Sequence, residues 1–185
     1  VNMTRAVNDV NKLTDDVQGR LNQLPDYKNY IQKSAELQMR KFGGDKDRFD
    51  QAFFDKDSAD QDIISLRQDR DKILDKNPKV ASGLSKIRKR LVGLEGDTQQ
   101  FANSTSELFG DKDVSEKVKM GIQGLTNEVG GKVADMKLPE GIEPKESEGR
   151  LVRFKRKIIN VFHSIIDGIK RIFGMGARSP APAPA

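Results

Sequence analysis

The chain has 185 residues, of which 33% are charged and 35% are hydrophobic, and its mean hydropathy is -0.67. Since about 25% charge is usual for globular proteins, this composition argues against a thick, many-layered enzyme core. The sequence has no cysteine and one histidine, His163, which excludes disulfides, thiolate nucleophiles and the usual zinc ligand sets. We therefore expect no enzyme activity, no bound metal and no cofactor.

The first part of the chain predicts three helices separated by short breaks. Apolar residues spaced by three and four predict a first helix over residues 2–24. A second helix is expected between Asp26, which can cap it, and Gly43, which can end it. The same apolar spacing then predicts a third, longer helix over residues 45–76. The first two helices should form an antiparallel hairpin.

A heptad-like line of apolar residues marks the fourth helix. Its steps of four and three are typical of coiled-coil packing, so this helix-packing seam predicts contact with a partner helix. Gly93 and Gly96 are expected to weaken the helix, with a separate short helix from about residue 98 to 109. The seam consists of Val80, Leu84, Ile87, Leu91 and Leu94.

A further helix is expected over residues 113–136. Its glycines each cost about 1 kcal/mol relative to Ala in a helix interior, so a break at Gly130 is favoured over an intact, closely packed helix. The apolar stripe of this helix comprises Val118, Ile122, Leu125, Val129, Val133 and Met136. These elements make up a helical body over residues 1–137.

The remaining sequence divides into a linker, a helix and a tail. Residues 138–149 hold two prolines and two glycines without periodicity, which predicts a linker. Residues 150–174 are predicted to form a basic amphipathic helix. Residues 175–185 alternate Pro and Ala at their end, which predicts a flexible tail.

The C-terminal helix is the segment with the clearest separation of apolar and charged residues. From residue 150 to 178, eight basic residues accompany a single acidic one, Asp167, so this segment carries +7 and the rest of the chain about -2. The apolar face comprises Leu151, Phe154, Ile158, Phe162, Ile165, Ile169, Ile172 and Phe173. The basic rim comprises Arg150, Arg153, Lys155, Arg156, Lys157, Lys170 and Arg171, of which Lys155 falls within the apolar arc.

Three environments suit this helix. It can lie at the interface of an anionic membrane, with phosphates beside the rim and apolar side chains in the acyl boundary. It can fill a hydrophobic groove of a partner protein. It can also close the protein's own helical bundle with its apolar face.

We therefore expect an all-α fold of antiparallel helical hairpins, an elongated bundle with coiled-coil-like seams, followed by the cationic helix. The expected function is that of a non-enzymatic adaptor in a hetero-complex with protein partners, whose C-terminal helix contacts a membrane surface or a partner groove. One alternative, based on composition alone, is an accessory or injected component of a microbial secretion machine. Another is nucleic-acid binding through the basic clusters at 86–90 and 150–157.

The sequence also favours a location in the cytoplasm or at the periphery of a membrane. The segment VNMTRAVNDV at residues 1–10 lacks the pattern of a signal peptide. No stretch holds the roughly 18 uncharged apolar residues that a membrane-spanning helix needs.

Overall fold

A computed structural model describes residues 2–139, 141–144 and 147–172, and these residues confirm the predicted all-α class. Phe173 and the tail at 175–185 lie outside the described residues, so what was predicted for them stays a prediction. The helices are α1 (Met3–Asn22), α2 (Pro25–Phe42), α3 (Lys46–Phe53), α4 (Gln61–Lys76), α5 (Pro78–Gly110), α6 (Glu116–Ala134) and α7 (Arg150–Ile172).

The described residues fall into two compact units. Unit 1 contains residues 2–9, 90–136 and 153–172, whereas unit 2 contains the described residues of 10–89 and 137–152. Helices α1, α5 and α7 contribute residues to both units. The segment predicted as a linker belongs to unit 2, together with the first three residues of α7.

The single long helix expected over residues 45–76 is wrong, because a turn separates α3 from α4. Within this turn, Asp55 accepts a hydrogen bond from the amide of Asp57 at 3.0 Å. Asp60 accepts one from the amide of Asp62 at 2.9 Å and thereby caps α4. Short acidic side chains compete with helical hydrogen bonds in this way, and here they outweigh the regular apolar spacing.

The break expected near Gly93 and Gly96 is also wrong, since α5 continues for 33 residues. All the seam residues, Val80, Leu84, Ile87, Leu91 and Leu94, are at most 2% exposed. Thr98 and Thr105 continue this buried line, and each hydroxyl donates to the carbonyl four residues earlier. Because a Cβ at either glycine would lie in open space, each costs only its helix propensity, about 1 kcal/mol.

Helix α6 runs without interruption through Gly130, so the break favoured there is wrong. A Cβ at Gly130 would lie 3.4 Å from the Cβ of Phe162, and the glycine thus permits close packing of α7 on α6. This contact lies within unit 1.

The side of α6 that faces inward also differs from the predicted stripe. Val118 and Leu125 are 49% and 39% exposed, whereas Lys119 and Thr126 are 9% and 0% exposed. The Thr126 hydroxyl donates to the carbonyl of Ile122 at 2.8 Å, which satisfies it inside the unit. Val129 and Val133 are buried as predicted.

In unit 2, α1 packs against α5 at Gly83. A Cβ at this position would lie 2.4 Å from the Cγ2 of Val17, which is itself 1% exposed. A β-branched side chain such as Val is stiff about χ1, so its methyl group has little freedom to move aside. Glycine at position 83 therefore sets how closely the two helices approach.

Replacing Gly83 with Ala should destabilise the protein. Overpacking of a core costs about 1 to 3 kcal/mol, and a Cβ only 2.4 Å from a methyl group of Val17 places the cost above the gain in helix propensity of about 1 kcal/mol. The matched control is Gly93→Ala in the same helix, where open space leaves only the propensity gain. Urea unfolding midpoints of the two variants should move in opposite directions, and equal stability would show that the close approach at Gly83 is absent.

Candidate interaction surface

The apolar side of α7 is buried along most of its described length. Leu151, Ile158, Phe162, Ile165 and Ile169 are each at most 8% exposed. Phe154 is half-buried, whereas Ile172, at the end of the helix, is 50% exposed. The protein's own residues therefore cover the predicted apolar face, and a membrane or partner can contact that face only after α7 has moved.

The opposite side of α7 carries exposed positive charge and is called the basic face. It consists of Arg150, Arg153, Arg156, Lys157, Lys170 and Arg171, all of them exposed. The helix holds seven basic residues and one acidic residue, Asp167, for a net charge of +6. Over a length of about 35 Å at 1.5 Å per residue, the basic residues cluster towards the two ends.

The charges at the start of α7 oppose the helix dipole. The N-terminus of a helix carries partial positive charge, so cations in the first turn are unfavourable by about 0.3 to 1 kcal/mol each. Glu143 offsets this effect, since its carboxylate accepts a hydrogen bond from the amide of Leu151 at 2.9 Å and is 2% exposed. Sequence reasoning placed Glu143 in a linker and missed it. The signal in the sequence was an acidic residue shortly before α7, whose first turn contains no acidic residue.

The segment that precedes α7 is anchored within unit 2. The hydroxyl of Tyr30 donates a hydrogen bond to the carbonyl of Gly141, and burial raises the pKa of this tyrosine, which keeps the hydroxyl protonated. Ile142 is fully buried. A Cβ at Gly149 would lie 3.1 Å from the ring of Phe54, and the φ of Gly149, 79°, favours glycine. These contacts position the first turn of α7.

Lys155 lies apart from the exposed basic face. It is half-buried, and its ammonium group donates a hydrogen bond to the carbonyl of Met136, just beyond the end of α6. Burial lowers the pKa of Lys155, although the nearby charge of Asp135 acts in the opposite direction. Lys155 therefore ties α7 to the C-terminal end of α6 within unit 1.

Lys157 connects α7 to α5, also within unit 1. Its ammonium group lies 3.8 Å from a carboxylate oxygen of Glu95, with side-chain exposures of 63% and 30%. Exposed ion pairs of this kind contribute at most about 1 kcal/mol. The pair leaves most of the charge on the basic face available to an external anion.

The second basic cluster, at residues 86–90, presents less charge than its sequence indicates. Lys86 and Lys89 are exposed, Arg88 is half-buried, and Arg90 lies 3.6 Å from Asp9. Every Phe and Tyr side chain among the described residues is buried or half-buried. Base stacking needs an accessible aromatic ring, and on α7 the exposed ring is the imidazole of His163.

A groove of about 290 Å³ lies between α2 and α4 in unit 2. Lys33 lies 2.7 Å from Asp69 and Lys76 lies 4.0 Å from Asp26, so opposite charges meet along its walls. Its lining residues are Asp26, Asn29, Tyr30, Lys33, Asp69, Lys72, Ile73 and Lys76. The Tyr30 hydroxyl in this groove already donates to Gly141.

The described residues bear on two further kinds of site, a metal centre and a membrane-spanning helix. No three His, Asp or Glu side chains in them are arranged to hold a metal ion. None of the helices α1 to α7, as far as the structure describes them, combines the length and the apolar character needed to cross a bilayer.

The described residues thus define an all-α protein with an anchored helix that presents a basic face. Comparison with protein-family models, with curated proteins and with solved structures finds no match to this chain. The chemistry of the α7 surface is therefore the basis for assigning a function.

The environment of Lys155 predicts a pH dependence of stability. Because its pKa is lowered in the fold, the unfolded chain binds more protons just below the usual value of 10.5. The buried ammonium group therefore costs stability at neutral pH, and this cost disappears as the pH rises. Relative to Lys155→Met, the free energy of unfolding of the wild type should increase as the pH approaches 10.5. Urea unfolding across this range measures the difference, and a constant difference would contradict the assignment.

Proposed function

We propose that the protein is a non-enzymatic interaction protein that docks on anionic membrane surfaces through the basic face of α7. The observation that carries this proposal is the segregation of charge on one helix, where six exposed basic residues accompany a single acidic residue. Basic residues near an anionic bilayer contribute about 1 kcal/mol each. The basic face is therefore sufficient for reversible adsorption without a bound cofactor.

Fold stability does not account for the cation at the start of α7. Arg150 lies in the first turn, where the helix dipole disfavours cations, whereas Lys170 and Arg171 lie in the last turn, where it favours them. The ion pair of Lys157 with Glu95 is exposed and contributes little. Charges that cost stability and remain accessible support a role in binding an external anion.

Two exposed apolar residues favour a membrane over a nucleic acid as the binding partner of α7. Val152 and Ile172 are 43% and 50% exposed and lie next to Arg153 and Arg171 in the sequence. At a membrane interface, apolar side chains beside cations enter the headgroup region while the cations bind phosphates. A nucleic-acid backbone offers phosphates alone to this surface, and none of the Phe and Tyr rings among the described residues is exposed to stack on bases.

Neutralising part of the basic face should weaken membrane binding selectively. The variant Arg156→Gln/Lys170→Gln/Arg171→Gln removes three charges and should bind phosphatidylcholine vesicles containing phosphatidylserine about a hundredfold more weakly, at about 1 kcal/mol per charge. Vesicle co-sedimentation measures the affinity, with pure phosphatidylcholine as the uncharged surface. Raised ionic strength should reduce binding of the wild type to the charged vesicles.

A matched control removes the same charge from another exposed helix surface. Lys79→Gln/Lys86→Gln/Lys89→Gln on α5 has an identical net charge, and all three lysines are exposed. This control should retain most of the vesicle affinity. An equal loss in both triple variants would assign binding to net charge and refute the role of α7. Tighter binding of the wild type to duplex DNA or RNA than to the charged vesicles would favour the nucleic-acid alternative.

A further inference from the structure

We propose that the buried apolar face of α7 is a stored membrane-contacting surface, which enters the acyl boundary of an anionic bilayer when α7 separates from α6. This inference rests on the proposed docking of the basic face, which brings α7 to the membrane. It adds a second stage, in which the bilayer becomes the cover of Ile158, Phe162, Ile165 and Ile169, which are buried in the fold.

The pattern of α7 meets the requirements of a helix that lies within a membrane interface. Such helices combine a wide apolar face with a cationic polar face and low net hydrophobicity. On α7 the buried apolar residues and the exposed cations lie on opposite sides. The exposed residues Val152 and Ile172 extend the apolar character towards both ends of the helix.

Helix α6, which packs on α7 at Phe162, buries polar residues and exposes apolar ones. It directs Lys119 and Thr126 inward, at 9% and 0% exposure, while Val118, Met120 and Leu125 are 49%, 65% and 39% exposed. A local arrangement that hides polar residues and shows apolar ones conflicts with the consistency of a well-determined fold.

The glycines of α6 lower the cost of that separation. A Cβ at Gly121, Gly124 or Gly131 would meet open space, so packing does not require glycine at these positions. Each lowers helix stability relative to Ala. Elements of low stability open most readily, so we expect α6 to open more readily than a helix without these glycines.

Lys155 also favours a change of surroundings. Inside unit 1 it is half-buried beside the end of α6, and burial disfavours its charge. At a membrane interface a lysine extends its stem along apolar material while the ammonium group reaches the headgroups. The one cation within the apolar arc is thus better hydrated after release.

A reversible crosslink tests this inference directly. The chain has no cysteine, and a Cβ at residue 130 would lie 3.4 Å from the Cβ of Phe162. This separation is close to the lower end of the roughly 3.5 to 4.5 Å between the Cβ atoms of bridged cysteines, so Gly130→Cys/Phe162→Cys should form a disulfide that holds α7 on α6. The reduced form of the same double variant is the matched control.

Oxidation of this variant should weaken binding to phosphatidylcholine vesicles containing phosphatidylserine about tenfold or more, because the apolar face stays covered. Reduction should restore the affinity. Equal affinity of the oxidised and reduced forms would overturn the inference. Circular dichroism of the reduced form checks that the variant folds.

A second measurement leaves Gly130 and Phe162 unchanged. Ile166→Cys places an environment-sensitive fluorophore at a half-buried position of α7, and Asn160→Cys places it on the exposed side as a control. Acyl-chain quenchers in the charged vesicles should quench the label at 166 more strongly than the label at 160. Equal quenching at the two positions would overturn insertion.

The two proposals fail in different ways. If the triple glutamine variant of α7 binds vesicles as tightly as the wild type, docking through the basic face is wrong. Suppose instead that this variant loses affinity, that the oxidised and reduced crosslink variants bind equally, and that the labels at 166 and 160 are quenched equally. Docking through the basic face then stands, and insertion of the apolar face is wrong.

Discussion

A continuous buried line along α5 supports both units of the protein. It begins at Val80 and passes through Leu94 and Thr98 to Phe109, with each of these residues at most 6% exposed. Because residues on either side of position 90 belong to different units, one uninterrupted helix supplies apolar residues to two cores. This requirement explains why two interior glycines leave the helix intact, since burial along 33 residues outweighs a propensity cost of about 1 kcal/mol at each.

The seam was readable from the sequence, because heptad spacing depends only on helix geometry. The separation of α3 from α4 was harder to predict, since it depends on which carboxylates bind backbone amides and on Arg67, whose guanidinium donates to the carbonyls of Phe53 and Asp55. In α6, apolar spacing identified the helix but misjudged which side faces inward. Thr126 can be buried because its hydroxyl bonds to its own helix, a compensation that a hydropathy pattern does not record.

For the surface of α7, too, features that depend on helix geometry could be predicted from the sequence, whereas contacts formed by folding could not. The charge of α7 and its separation from the apolar side follow from a period of 3.6 residues, and both were evident in the sequence. The partners of its ends were not, because Glu143 and Met136 become neighbours of α7 only through folding. These two contacts remove Lys155 from the exposed charge and offset the dipole at the first turn. They convert an apparently detached basic helix into one that is anchored at its start.

The position of Tyr30 on α2 has a spectroscopic consequence. The chain lacks tryptophan and has two tyrosines, Tyr27 and Tyr30, both buried in unit 2. Intrinsic ultraviolet fluorescence therefore reports on unit 2 alone, whereas far-ultraviolet ellipticity reports on every helix. An unfolding curve followed by tyrosine fluorescence therefore reports on the part of the molecule that contains α2 and the segment before α7.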